Sequence, residues 1–196
     1  MKCMNHYYIV ALISFFCVAL SGEADCFAKT SAGDGICITA LEYEPADDMF
    51  QLGRAYEKSK EYSKAAAYYG EAAEMGHSDA QARLGYFYQV GRGVSKDYDM
   101  AVYWYRKAVA QDNPFAQLQL GICYYYNFGV EKDIDMALYL YELSADQGNM
   151  EAQYRLARCY RYGIAGRHNP AKARELYRRA AAQGHSKAQA ELEEWQ

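Results

Sequence analysis

A period of 36 residues runs through this chain and constrains its fold more tightly than any other feature. Ala80, Ala116, Ala152 and Ala188 stand 36 positions apart, and Gln81, Gln117, Gln153 and Gln189 follow them. Leu84, Leu120, Leu156 and Leu192 keep the same interval. Two further registers run Ala65, Ala101, Ala137, Ala173 and Tyr69, Tyr105, Tyr141, Tyr177. Independent registers at one period mark a repeat protein, whose units stack along an axis instead of closing into one globule.

Each unit reads as two helices. In the second, Ala80, Leu84, Phe87 and Tyr88 recur at helical spacing until Gly91-Arg92-Gly93 breaks the pattern. Asp97 or Asp99 can then cap a helix through Met100, Ala101, Trp104, Tyr105 and Ala108. Asp112-Asn113-Pro114 ends it and starts the next unit. The third unit uses Gly129, Asp133, Asp135 and Gly148 in the same way; the fourth uses Gly163, Gly166, Asn169, Pro170 and Gly184. Small residues at fixed points (Gly85, Gly121, Ala157 and Ala101, Ala137, Ala173) let paired helices approach closely, while Leu, Tyr and Trp fill the layer between units. One hairpin cannot bury its apolar stripe alone, so the units must stack. The expected fold is all-α: a right-handed α-α superhelix, or solenoid, of four two-helix repeats at about 46–77, 78–113, 114–149 and 150–185, with a capping helix over 186–196.

The runs DAQARLGYFYQVGRGVSKDYDMAVYWYRKAVAQDN and EAQYRLARCYRYGIAGRHNPAKARELYRRAAAQGH closely resemble the Sel-one-like repeat, a relative of the tetratricopeptide repeat. The resemblance covers roughly residues 45–196. The first unit departs from it: Leu52 to Ala65 is 13 residues where Leu84 to Ala101 is 17. Its Leu52, Gly53, Tyr56, Ala65, Tyr69 and Ala72 fit the tetratricopeptide pattern with a shorter turn.

Ahead of the repeats, Met1–Tyr8 is short and polar with Lys2, and Tyr8–Leu20 is apolar but for Ser14. Ser21–Ala28 is small and polar, with Ala19-Leu20-Ser21 or Cys26-Phe27-Ala28 as a cleavage site. This three-part pattern predicts a signal peptide over 1–28, an uncleaved anchor being the rival reading. The apolar core is short against the roughly 20 residues that span a bilayer, and neither Cys17 nor Cys26 has a lipoprotein context. Residues 29–44 read as a loose leader, and the mature chain is expected to be periplasmic or secreted, monomeric and not inserted in a membrane.

A formal net charge of −4 is too weak to imply nucleic acid as a partner. The charge is uneven, however. Glu42, Glu44, Asp47, Asp48, Glu57 and Glu61 weight the start of the repeats; Arg155, Arg158, Arg161, Arg167, Arg174, Arg178 and Arg179 weight the end. These are either solvated helix faces or a bipolar surface that orients an acidic partner segment.

No constellation for catalysis, metal or cofactor emerges, and the chain is not expected to be an enzyme. His77 and His185 share one repeat position, occupied by Asn113 and Asn149 elsewhere, and read as turn residues beside a helix C-terminus. Gly91-Arg92-Gly93 follows no strand and is no phosphate loop. Cys123 and Cys159 are equivalent across adjacent units, where helices lie about 8–10 Å apart, beyond the roughly 7 Å limit for a disulfide. They are expected as free, buried thiols; Cys26 and Cys37 could pair if both survive processing.

The resemblance implies a partner-binding groove lined by first helices. The inward positions are Phe50, Arg54 and Glu57, then Tyr86 and Gln89, then Leu118, Ile122, Tyr125 and Tyr126, then Tyr154, Arg158 and Arg161. Tyrosine and arginine are enriched where interfaces carry their energy. Several of these tyrosines could equally pack between repeats. Tyr125, Tyr126, Arg158 and Arg161 lead the set, and replacing both arginines with Ala is expected to abolish capture with little loss of melting temperature. The leading function is a non-enzymatic adaptor or scaffold of a bacterial cell envelope that holds a protein partner. The alternative is a periplasmic immunity or inhibitor protein against a secreted hydrolase. A third reading, weak β-lactamase-like penicillin-binding activity, comes from cysteine-rich relatives whose repeats carry paired cysteines; here two repeats carry one each.

Overall fold

The computed structural model describes residues 45–194. They form nine α-helices, one 3-10 turn at Ile164–Gly166 and no strand. Four consecutive pairs are α1 (Pro45–Lys58) with α2 (Tyr62–Glu74), α3 (Ser78–Val90) with α4 (Tyr98–Val109), α5 (Pro114–Tyr126) with α6 (Ile134–Asp146), and α7 (Met150–Tyr162) with α8 (Pro170–Ala182). The ninth helix, α9 (Ser186–Glu193), packs on α8. Each helix packs on its sequence neighbours, which is the contact pattern of a solenoid. The first helices α3 and α5 also meet directly, so first helices line the inner side of the stack. The signal, the leader, the Cys26–Cys37 pairing and Trp195 at the end of the cap lie outside the described residues.

The periodic residues make this packing. Ala80, Ala116, Ala152 and Ala188, and likewise Ala65, Ala101, Ala137 and Ala173, are 0% exposed. Within three of the hairpins the tyrosine of the second helix lies flat against a glycine of the first. A Cβ at Gly85 would meet the Tyr105 ring at 2.8 Å, and one at Gly121 would meet Tyr141 at 2.7 Å. The glycine lets the helices close on the ring, whose burial supplies much of the driving force. Ala157 takes this place opposite Tyr177 in the fourth repeat. Three hydrophobic clusters result, each crossing a repeat boundary, so no repeat owns its core. Leu84, Leu120 and Leu156 are 4%, 4% and 2% exposed because each meets the preceding repeat. Leu52, with no described repeat before it, is 40% exposed.

The repeated glutamine is a polar clamp inside that apolar layer. Gln81 Nε2 donates to the Ala73 carbonyl at 3.0 Å, and Gln81 Oε1 accepts from Gln111 at 2.8 Å. Gln153 does the same with Ala145 and Gln183, at 3.1 and 2.9 Å, and Gln117 accepts from Gln147 at 2.9 Å. At Gln81 and Gln153 one amide thus ties a first helix to the preceding repeat and to the end of its own partner helix.

Capping sets the ends. Asp97, Asp133 and Asn169 accept from the backbone N–H of Met100, Met136 and Lys172, which decides between the paired aspartates of the second and third units. The reading of His77 and His185 as residues that finish a helix covers only their backbone: His77 N–H closes α2 onto the Ala72 carbonyl at 3.0 Å. Their side chains cap the next helix instead, Nδ1 accepting from Ala80 and Ala188 N–H, each at 3.2 Å. Asn113 and Asn149 do so from Ala116 and Ala152. The far edge of each cap reaches back to an acid of the previous repeat: His77 to Asp47 at 3.0 Å, Asn113 to Asp79 at 2.7 Å, His185 to Glu151 at 3.0 Å. The third repeat offers Phe115 at the acid's position, and Asn149 makes no such contact.

Candidate functional site

First helices line the inner side of the stack, and one position near the end of each sets the local chemistry there. That position is Glu57, Gln89, Tyr125 and Arg161 in the four repeats. Behind it lies the buried tyrosine of the second helix. In the first repeat the Tyr69 hydroxyl donates to Glu57 Oε2 at 2.6 Å, and Arg92 lies 3.7 Å from Glu57 Oε1. In the second, Tyr105 donates to Gln89 Oε1 at 2.5 Å. In the fourth, Arg161 pairs with Glu191 of the capping helix and lies 3.9 Å from Glu194.

The third repeat differs, and a cavity of about 340 Å³ opens there between α5 and α7. Tyr125 and Tyr126 from α5 form one wall; Arg155, Arg158 and Tyr162 from α7 form the other. Tyr141, Cys159 and Ile164 complete it. Tyr125 and Tyr126 meet edge to face, ring centroids 4.8 Å apart. The Arg158 guanidinium stands 5.9 Å from the Tyr154 ring and 6.0 Å from Tyr162. Arg155 Nε lies 2.7 Å from Glu151 Oε1, which offsets its charge. Helix α5 carries no charged side chain, so the cavity combines aromatic walls with one guanidinium, Arg158, that has no carboxylate partner among the described residues.

Burial governs the titration of this site. It pushes the Tyr141 phenol far above its ordinary range and the Cys159 thiol up to about 11. Tyr125 is raised too, chiefly by burial. All three hold their protons at neutral pH, so Tyr141 is a hydrogen-bond donor and Cys159 is no nucleophile. Cys123 and Cys159 are buried and unbridged, and no helix among the described residues is long and apolar enough to cross a membrane.

Of the residues chosen from sequence, Tyr125, Tyr126 and Arg158 come together in this cavity. Arg161 does not line it, being committed to the capping helix. Phe50, Leu118 and Tyr154 are buried at 8%, 3% and 8% exposure and hold the stack together; Phe50 stacks on His77 and Tyr154 on His185. Ile122 packs partly buried beside them, and Tyr86 lies edge-on to Phe115. Arg54 lies over Phe50, and Gln89 and Glu57 each accept from a buried tyrosine. Sequence reasoning missed Tyr141, Arg155, Tyr162 and Ile164. Tyr141 belongs to a core register, and periodicity gives no sign that its hydroxyl opens on a cavity. Arg155 sits where Arg83 and Gln119 sit in earlier repeats, a polar column that could have flagged it.

Stacked helix hairpins with an inner groove of first helices define a tetratricopeptide-like solenoid. The Sel1 repeat model matches at residues 46–77, 78–113, 114–149 and 151–185, and the chain belongs to the Sel1 repeat family. Such repeats mediate protein–protein interaction. A protective antigen present in uropathogenic Escherichia coli strains, displaying an SLR fold, is 36% identical over 74% of this chain and 32% of its own, with a TM-score of 0.66. A Sel1 repeat protein from Oxalobacter formigenes is 31% identical over 75% of this chain and 62% of its own, TM-score 0.70. One from Klebsiella pneumoniae subsp. pneumoniae shares the fold at 22% identity, covering 71% and 68% of the two chains, TM-score 0.58. The chain thus spans about a third and three fifths of the length of the first two. No curated protein sequence matches it.

Proposed function

We propose that this protein is a non-enzymatic adaptor of a bacterial cell envelope that holds a protein partner in the groove of its first helices, centred on the cavity between α5 and α7. The observation that carries the reading is the cavity's composition. Exposed tyrosines and an uncommitted arginine converge in one recess, and these are the side chains that supply rigid contact area and directional hydrogen bonds at interfaces. Membership in a protein-interaction family supports the same reading. The amino-terminal pattern of Lys2, the apolar Tyr8–Leu20 and the small residues to Ala28 supports an envelope location.

The test is capture from an envelope extract by the purified chain, read by mass spectrometry. A partner retained by wild type should be lost from the Tyr126→Ala/Arg158→Ala double variant. It should be kept by Tyr103→Ala/Tyr139→Ala, which strips equally exposed tyrosines from second helices. Retention by the groove variant would show that the partner uses another face.

A further inference from the structure

The four equivalent groove positions form an internal comparison. A buried tyrosine hydroxyl in the first repeat meets a carboxylate, Glu57, with the Arg92 guanidinium alongside. In the second it meets the Gln89 carbonyl. In the fourth the position is itself a guanidinium, Arg161, and a carboxylate from the next helix meets it. At each of these three positions the residue near the end of the first helix has a polar partner supplied by the chain. The third does not. Tyr141 is 2% exposed and lines the cavity, yet its hydroxyl makes no hydrogen bond to another described residue. The residue standing where Glu57 and Gln89 stand is Tyr125. The ring of Tyr141 is buried, but its hydroxyl opens on the cavity, where an acceptor brought by a ligand can meet it. Arg158 on the facing helix lacks a carboxylate, and the Arg155 charge is offset by Glu151.

We propose that this cavity is a carboxylate subsite: it takes the side-chain carboxylate of an acidic residue on an extended partner segment lying in the groove. The Tyr141 hydroxyl donates to one oxygen and the Arg158 guanidinium faces the other, as Tyr69 and Arg92 do around Glu57. The methylenes of the incoming side chain lie against Tyr125, Tyr126 and Ile164. Burial keeps Tyr141 protonated, so the donor persists at every physiological pH. A charge-assisted hydrogen bond at a desolvated site is the strong kind, and it discriminates a carboxylate from its amide. The inference rests on the groove reading above and names what the partner must present there.

The experiment titrates the full chain into fluorescein-labelled peptides and reads anisotropy. One peptide is Gly-Ala-Leu-Glu-Phe-Ala-Gly with a blocked carboxy terminus; a second has Gln for Glu; a third is the Gln peptide with a free terminal carboxylate. The Glu peptide should bind about tenfold more tightly than its Gln twin. Tyr141→Phe and Arg158→Gln should each remove that preference, while Tyr105→Phe, whose hydroxyl serves Gln89, should preserve it. Arg158 is exposed, so its variant reports even if Tyr141→Phe fails to fold. Equal affinity for Glu and Gln, an intact preference in the Arg158 variant, or no binding of any peptide would overturn the proposal. Preference for the free terminus would replace it with a chain-end site. If a native partner still occupies the groove but is indifferent to Arg158→Gln, the subsite fails while the adaptor reading stands.

Discussion

Gly121 gives up a side chain so that the Tyr141 ring can lie on the backbone of α5. Gly121→Ala should therefore cost about 1–3 kcal/mol, through a methyl forced against a buried ring, measured as a lower urea midpoint at unchanged slope. Ala157 shows that the fourth repeat has adjusted to the methyl, so Ala157→Gly should not stabilise it. Alkaline pH tests the buried acids. Cys159 and Cys123 are pushed up from 9.0 to about 11 and about 12, and Tyr177 from 10.0 to about 12, all by burial first. Between each ordinary value and its raised one, the unfolded chain has lost a proton that the folded chain keeps. Stability is thus fully present below about pH 9 and falls as pH climbs from there towards 12. Denaturant midpoints should agree between about pH 7 and about pH 8 and be lower at about pH 10.5; a flat series would contradict the assigned burial. At this scale the sequence revealed the glycine–tyrosine pairs, because period reports backbone position. It hid the opening of the Tyr141 hydroxyl onto the cavity, because what faces a hydroxyl depends on the residue 16 places earlier in another helix.

Helix ends carry the next layer of specificity. His77 caps α3 with the same geometry by which Asn113 and Asn149 cap α5 and α7, so His77→Asn should change stability by no more than about 0.5 kcal/mol. His77→Ala should cost about 1 kcal/mol. The difference, read from thermal unfolding, isolates the cap from the ring's stacking on Phe50, which both variants lose. Arg161 and Arg158 separate at this level as well. Arg161→Ala removes the pairing of α7 with Glu191 of α9 and should loosen the cap, lowering stability by about 1–2 kcal/mol; Arg158→Ala should leave it nearly unchanged. The pairing of Arg161 with Glu191 argues against the expectation that both arginines can be replaced with little loss of melting temperature, which a melting curve of the double variant tests. Helix positions and the shorter first turn were legible, because Gly, Asp, Asn and Pro punctuate them. The partner of Arg161 was not, since a pair 30 residues apart follows from how α9 docks rather than from any local pattern.

Over the whole array, each hydrophobic cluster bridges two repeats, so stability belongs to the stack. A chain ending at Asn113 would lose Leu120 and Leu140 from their shared cluster with Ala82, Val102 and Tyr105, and would expose that face. It should be less stable than half the full chain and prone to associate, visible by light scattering. The array also explains how one fold carries a selective site. In its first, second and fourth repeats the chain itself supplies a polar partner to the residue near the end of the first helix; on the reading proposed above, a bound segment supplies it in the third. Site-specific photocrosslinking in an envelope extract measures this most directly, with a photoreactive residue at Tyr126 in the groove or at the similarly exposed Tyr139 on a second helix. The account predicts one discrete crosslinked protein from position 126 and none from position 139. The same adduct from Tyr139 alone would contradict it.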